Sequence, residues 1–138
     1  METTLVIIKP NVMSKNQAGA VIQKFQQAGF KISGLKLMKI SSSLCEEFYA
    51  EHKQKPFFPE LATFMTSIPV IVLALSGNGG VAAVRALMGH TDPKKAQPGT
   101  IRYEYGDSVG ENAVHGSDSL NSAQRELKLF FSEKELFN

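Results

Sequence analysis

The succession of hydrophobic patterns in this chain predicts an α/β sandwich. Leu5 to Ile8 and Val70 to Leu75 are unbroken apolar runs rich in branched residues, as expected of short strands buried on both faces. Elsewhere apolar residues recur at helical spacing. Ala18, Val21, Ile22 and Phe25 fall at i, i+3, i+4 and i+7, and Leu120, Ala123, Leu127 and Phe130 mark a last amphipathic helix. The resulting order, strand–helix–strand–helices–strand–helix, calls for a sheet with helices packed on it. A length of 138 residues fits one domain, 1–138, able to bury about 68% of its unfolded surface.

Each element has a local reason. Lys9-Pro10 ends the first strand, and Gly29 is placed for the left-handed conformation after the first helix. Phe30 and Ile32 alternate, then Leu35 and Leu37 alternate in the opposite phase. This predicts a second strand with a bulge near Ser33-Gly34. Ser43-Leu44-Cys45-Glu46 has capping-box spacing, so a helix is expected to run from there through Phe48 and Tyr49 to about His52. Lys53 to Phe58 reads as a connector. Pro59 suits the first turn of a short helix carrying Leu61, Phe64 and Met65, which Ile68-Pro69 stops. Gly77 to Gly80 makes a turn, Val81 to Leu87 a helix, and Gly89 closes it. From Gly89 to His115 no periodicity is visible, and Pro93, Pro98, Gly99, Gly106 and Gly110 interrupt the chain. Irregular segments of this length are usually functional or disordered, and Thr91, Arg102 and Asn112 favour function.

Composition excludes more than it identifies. Fifteen basic and 13 acidic residues leave a net charge of +2, too mild to argue for nucleic acid or a membrane surface. The single cysteine, Cys45, excludes a disulfide framework and suits a reducing compartment. The start has no basic segment, and the longest apolar run falls far short of the ~20 residues of a membrane span. A cytoplasmic chain without membrane or specific nucleic-acid partners is expected.

Gly77-Asn78-Gly79-Gly80-Val81-Ala82 fits the dinucleotide pattern G-x-G-x-x-A between a strand and a helix. The acidic residue expected ~20 positions on is missing, because that region reads Gln97-Pro98-Gly99. A plain strand–helix turn is the stronger reading. His52 and His90 lack metal-ligand spacing and Cys45 has no partner cysteine, so no protein-held metal is expected.

The densest chemistry lies in Asn112-Ala113-Val114-His115-Gly116-Ser117-Asp118-Ser119. The glycine beside His115 opens an approach to an imidazole that can act as base or covalent nucleophile. Glu126 sits at the border of the last helix's inward face. It is either a half-buried carboxylate fixing the histidine's tautomer or a solvated flanking residue. Lys9 at a strand end, Arg85 and Arg102 could hold phosphate oxygens, or each could be a solvated charge.

These words, with Thr4-Leu5-Val6-Ile7-Ile8-Lys9-Pro10, Phe48-Tyr49-Ala50-Glu51-His52-Lys53, Pro56-Phe57-Phe58-Pro59-Glu60-Leu61, Thr91-Asp92-Pro93 and Pro98-Gly99-Thr100-Ile101-Arg102, resemble the nucleoside diphosphate kinase family from end to end. The resemblance implies a ferredoxin-like β-α-β-β-α-β fold with an antiparallel sheet, added helices and a fourth short strand near His115. It implies a kinase that moves the γ-phosphate of a nucleoside triphosphate, typically ATP, to nucleoside diphosphates by ping-pong through a phosphohistidine. His115 occupies the nucleophile's position, Glu126 the orienting carboxylate's, and Ser117 that of a hydroxyl near the transferring group. Lys9, Tyr49, Arg85, Thr91 and Arg102 match phosphate-holding and site-lining groups, and Asn112 and Lys9 match the ribose contacts. Phe57 would stack on the base with Val109 on its other face, which tolerates every base. Mg2+ would arrive on the nucleotide's phosphates. A homo-oligomer, tetramer or hexamer of dimers, is implied. Alternatives are a non-catalytic nucleotide-binding scaffold and a dinucleotide-dependent enzyme. Asn11 departs from the Asp usual in the family, with a changed environment for Lys9 expected. Lys15-Asn16 and the Gly77 turn also depart.

Overall fold

The computed structural model describes residues 1–137. Four strands form one sheet: β1 (Glu2–Ile8), β2 (Lys31–Met38), β3 (Val70–Gly77) and β4 (Val114–Gly116), in the order β2-β3-β1-β4. Every pairing is antiparallel, with β1 central against β3 and β4. The register breaks between Ile32 and Gly34, so the expected bulge is there.

The apolar run of β1 is buried on both faces because helices cover both. Val6 and Ile8 join Leu73 and Leu75 in one core, with Val21 and Phe25 of α2 (Ala18–Gln27) and Val84 and Met88 of α5 (Gly80–Met88). Leu5 and Ile7 face the other way, onto Cys45 and Phe48 of α3 (Ser42–Phe48), Met65 of α4 (Phe58–Met65) and Phe130 of α7 (Leu120–Phe130). Fully burying each such side chain stabilises by about 1.5–3 kcal/mol. Gly29, expected to be left-handed after α2, has φ +94°, and Gly89 closes α5 as expected, at φ +86° and ψ −173°.

Several boundaries differ from the sequence reading. The α3 cap is Ser41, whose hydroxyl accepts from the Leu44 N–H at 3.1 Å, two residues before the expected start. The helix also stops at Phe48, and a 3-10 turn covers Ala50–His52. Pro10 starts an unforeseen short helix, α1 (Pro10–Ser14), where its missing N–H costs nothing. The segment from Gly89 to His115 is more ordered than expected: it holds a 3-10 turn at Pro93–Lys95 and α6 (Ile101–Tyr105). The dinucleotide reading of the Gly77 turn fails on geometry. The N-terminus of α5 is already filled by the protein's own carboxylate, with Val81 N–H donating to Glu2 Oε1 at 3.1 Å. Gly80 packs so closely that a Cβ there would lie 2.8 Å from the Glu2 carbonyl oxygen.

Candidate active site

The short strand β4 pairs with the end of β1, placing His115 opposite Ile7. The imidazole therefore faces the side of the sheet covered by α3 and α7. Phe48 meets it edge-to-face, centroids 4.8 Å apart. From α7, Glu126 Oε1 lies 2.9 Å from His115 Nε2 and accepts from Ser117 Oγ at 2.7 Å. An oxygen that accepts from a hydroxyl accepts from the imidazole too, so Nε2 carries the proton and Nδ1 holds the lone pair. Nδ1 has no hydrogen bond and is not a buried orphan among the described residues, so it stays accessible. Burial holds the imidazole below its ordinary pKa, against the pull of Glu126, and Lys9 and Arg102 push the same way as burial. The ring is neutral near pH 7.

Lys9 leaves β1 at the same end. Its backbone N–H donates to the Ala113 carbonyl at 2.8 Å, and Nζ donates to Asn112 Oδ1 at 2.8 Å. The Asn112 amide in turn donates to the Thr91 carbonyl at 3.1 Å. Between Asn112 and Val114 the chain makes a γ-turn. Val114 N–H donates to Asn112 O at 3.0 Å across Ala113, whose φ is +77°. Such a turn is rare and strained for a residue with a Cβ. It lets Asn112 meet Lys9 while His115 stays in register with Ile7. Burial, then Arg102, drops the Lys9 pKa to about 7.

Arg102 is 6% exposed and donates to the carbonyls of Gly89 (3.1 Å) and Val114 (2.9 Å), while its Nε is buried without a partner. Burial and then Arg85 lower its pKa to about 10, so it keeps its charge. Arg85 donates to the Gly116 carbonyl at 3.1 Å. Burial first, then Cys45 and Glu126, raises the Tyr49 pKa, which leaves a phenol able to donate.

A cavity of about 620 Å3 gathers Lys9, Tyr49, Phe57, Thr91, Arg102, Val109, Asn112 and His115. A second lobe of about 240 Å3 shares Tyr49, Thr91, Arg102 and His115 and adds Arg85 and Glu126. Phe57 and Val109 are half exposed at the mouth of the first lobe. Ser117 alone among the expected residues lines neither lobe: it is 0% exposed, its hydroxyl turned to Glu126. Sequence reasoning missed Phe48 against the imidazole, and His52, which lines both lobes. It placed Leu61 and Phe64 on a short helix without connecting them to the site, and both pack against the core and reach the first lobe. Their spacing of four and seven from Phe57 places them on its helix face and could have signalled this.

The second lobe brings Arg85, Arg102 and Arg125 together with Glu51, Asp118 and Glu126, and Arg85 and Arg102 beside His115 offer donors to an anion. Among the described residues no group of three or more His, Cys, Asp or Glu is placed to hold a metal ion.

The comparisons with known proteins agree with this geometry. The family model described as nucleoside diphosphate kinase matches residues 2–136. The chain is 54% identical over 138 residues to a nucleoside diphosphate kinase of Bdellovibrio bacteriovorus, covering 100% of this chain and 98% of that one. It is 50% identical over 136 residues to one of Thermus thermophilus, covering 99% of each. Among solved structures, the Aquifex aeolicus nucleoside diphosphate kinase superposes with a TM-score of 0.95 at 40% identity, covering 98% of each chain. That of Halobacterium salinarum in complex with CDP gives a TM-score of 0.97 at 41% identity, covering 99% of this chain and 91% of that one. By sequence, fold and site together, the chain belongs to the nucleoside diphosphate kinase family.

Proposed function

We propose that the chain is a phosphotransferase that moves the γ-phosphate of a nucleoside triphosphate, typically ATP, to nucleoside diphosphates through a phosphohistidine at His115. The observation that carries this is the imidazole itself, fixed at Nε2 by Glu126 at 2.9 Å with Nδ1 accessible beside Lys9 and Arg102. In the first half-reaction the Nδ1 lone pair forms the bond to the γ-phosphorus. The bond to the bridging oxygen breaks, and the diphosphate leaves with that oxygen. Nε2–H stays on Glu126, which stabilises the positive charge that grows on the ring. A second diphosphate then reverses the steps.

Lys9, Arg85, Arg102, Thr91 and Tyr49 hold and neutralise the phosphates, Asn112 and Lys9 take the ribose, and Phe57 and Val109 sandwich the base. Ser117 acts through Glu126 as a second donor to the carboxylate. Mg2+ would arrive with the nucleotide, held by its phosphates rather than by a group of protein ligands, and would add further neutralisation. Residues 1–138 work as one domain in this reading. A homo-oligomer, tetramer or hexamer of dimers, is supported by the edge strand β2, on which Leu35 and Leu37 are 51% and 64% exposed. No helix among the described residues is long and apolar enough to cross a membrane, and action in the cytoplasm accords with that.

Incubation with γ-labelled ATP should leave an acid-labile, base-stable phosphate on the protein, discharged by added diphosphate. Persistent labelling and transfer by His115→Ala would overturn the assignment, and binding without turnover would favour the scaffold reading.

A further inference from the structure

The loop after α6 closes on itself. Asp107 N–H and Ser108 N–H both donate to the Glu111 carbonyl, at 2.8 and 3.3 Å, and Glu111 N–H donates to Ser108 Oγ at 3.1 Å. The loop carries Val109 near its tip and runs directly into Asn112. Val109 is 55% exposed, so packing does not fix its place. What fixes the loop is its anchorage to α1. Asn11, 5% exposed, donates from Nδ2 to Asp107 Oδ2 at 2.8 Å, to the Glu111 carbonyl at 3.0 Å and to the Tyr105 carbonyl at 3.3 Å. Lys15, the residue that caps the end of α1, grips the same Asp107 at 2.6 Å. Asn11 follows Lys9 by only two residues, whereas the loop it holds lies about a hundred residues away. The expected effect of Asn11 on Lys9 is not what the contacts show: Lys9 Nζ is held by Asn112, and Asn11 faces the loop.

We infer that Asn11 is a positioning residue that sets the width of the nucleotide slot, by tying the Val109–Asn112 wall to the helix that begins after Lys9. This rests on the nucleotide reading of the cavity. The chemistry demands a donor. Three oxygens surround Nδ2, and Oδ1 is buried without a partner, so the pocket is built for N–H groups and has no use for the acceptor. A carboxylate at position 11 would meet the Asp107 carboxylate and two carbonyl oxygens, and the loop would swing away with Val109 and Asn112. The phosphate-holding arginines and the His115–Glu126 pair are anchored elsewhere and would stay.

The test is steady-state kinetics on Asn11→Asp, Asp107→Asn and the double variant, with the parent's phosphoenzyme yield measured alongside. Asn11→Asp should raise KM for nucleoside diphosphates at least tenfold while kcat changes less than threefold. Adding Asp107→Asn should recover at least threefold of that loss, because it removes the facing charge. If Asn11→Asp does not fold, Asp107→Asn alone should still raise KM about threefold at constant kcat. An unchanged KM in the folded variants, or no recovery in the double variant, would overturn the inference. A parent that forms no phosphoenzyme would instead overturn the functional reading beneath it.

Discussion

Removing the Glu126 carboxylate separates what the histidine does from what holds it. In the resting protein Glu126 Oε1 takes two donors, His115 Nε2–H at 2.9 Å and Ser117 Oγ–H at 2.7 Å. When Nδ1 attacks phosphorus the ring becomes cationic, so the bond to Glu126 strengthens on the way to the transition state. Charged hydrogen bonds are worth about 1.5–3 kcal/mol, and 1.36 kcal/mol is a factor of ten in rate. Glu126→Ala should therefore slow phosphoenzyme formation roughly 10- to 150-fold. Glu126→Gln keeps an acceptor but not the charge, and should fall between the parent and the alanine variant. Rapid quench with γ-labelled ATP reads the step directly. Thermal melts are needed beside it, because two buried donors left unpaired cost about 1–3 kcal/mol each in stability. A phosphorylation rate within threefold of the parent in Glu126→Ala, or a defect confined to KM, would refute the orienting role.

Four further outcomes follow from other parts of the site. Because the folded Lys9 pKa of about 7 lies below its ordinary 10.5, the unfolded chain binds the extra proton between those values. Stability of the unliganded protein should then rise with pH across that window, by at most about 1.4 kcal/mol per pH unit from this group, and Lys9→Met should flatten the rise in urea titrations. Phosphate beside Lys9 restores its proton, so diphosphate binding at pH 8 should take up protons, seen by calorimetry in buffers of different ionisation enthalpy; no uptake would count against a shifted lysine. Phe57→Ala should weaken all bases alike, by about 1–3 kcal/mol, and a large purine preference in competition assays would sink the stacking assignment. Gly89→Ala forces a Cβ at φ +86° to within 2.5 Å of Thr100 Oγ1 and disturbs the carbonyl that holds Arg102. It should destabilise by ~2 kcal/mol and lower turnover, and an unchanged melting temperature would contradict this.

How much of this was legible depends on the range over which each signal acts. β1 and β3 declare themselves as unbroken apolar runs and β2, α2 and α7 through periodicity, whereas β4, three residues long, came only with the family resemblance; Glu126 at the edge of the α7 apolar face was readable as a partner for His115. Helices α1 and α6 have five residues each, too few to show a period, and α6 lies in the segment that prolines and glycines marked as irregular. The α3 start was misplaced because Ser41, Ser42 and Ser43 are adjacent potential caps, and only the backbone turn selects Ser41. The tie from Asn11 to Asp107 spans 96 positions and depends on how an amide faces three oxygens, which no local pattern encodes. Ser117 was legible as a neighbour of the histidine, whereas its turn away from the cavity toward Glu126 depended on the packing of α7 against β1.

The cations of the site act on one another as well as on phosphate. Burial is the main cause of each lowered pKa here, and the cations add to it: Arg85 to that of Arg102, Arg102 to that of Lys9, and Lys9 with Arg102 to that of His115. Without an anion this cluster is mutually repulsive, and it is retained against that repulsion by carbonyls: Gly116 for Arg85, Gly89 and Val114 for Arg102. The repulsion has a chemical use. Burial chiefly, with the nearby cations adding to it, keeps the imidazole unprotonated, and only the unprotonated ring can attack. Because the His115 pKa is lowered, the acid limb of the phosphorylation rate should lie below the pH at which a free imidazole titrates, and a limb at or above that pH would contradict this. An arriving triphosphate then relieves the repulsion among the cations at the moment it presents its γ-phosphorus, so the same charges that prepare the nucleophile bind its target. The near-neutral sum of +2 hides this because other lysines, Lys15 and Lys24 among them, are paired with Asp107 and Glu104 away from His115.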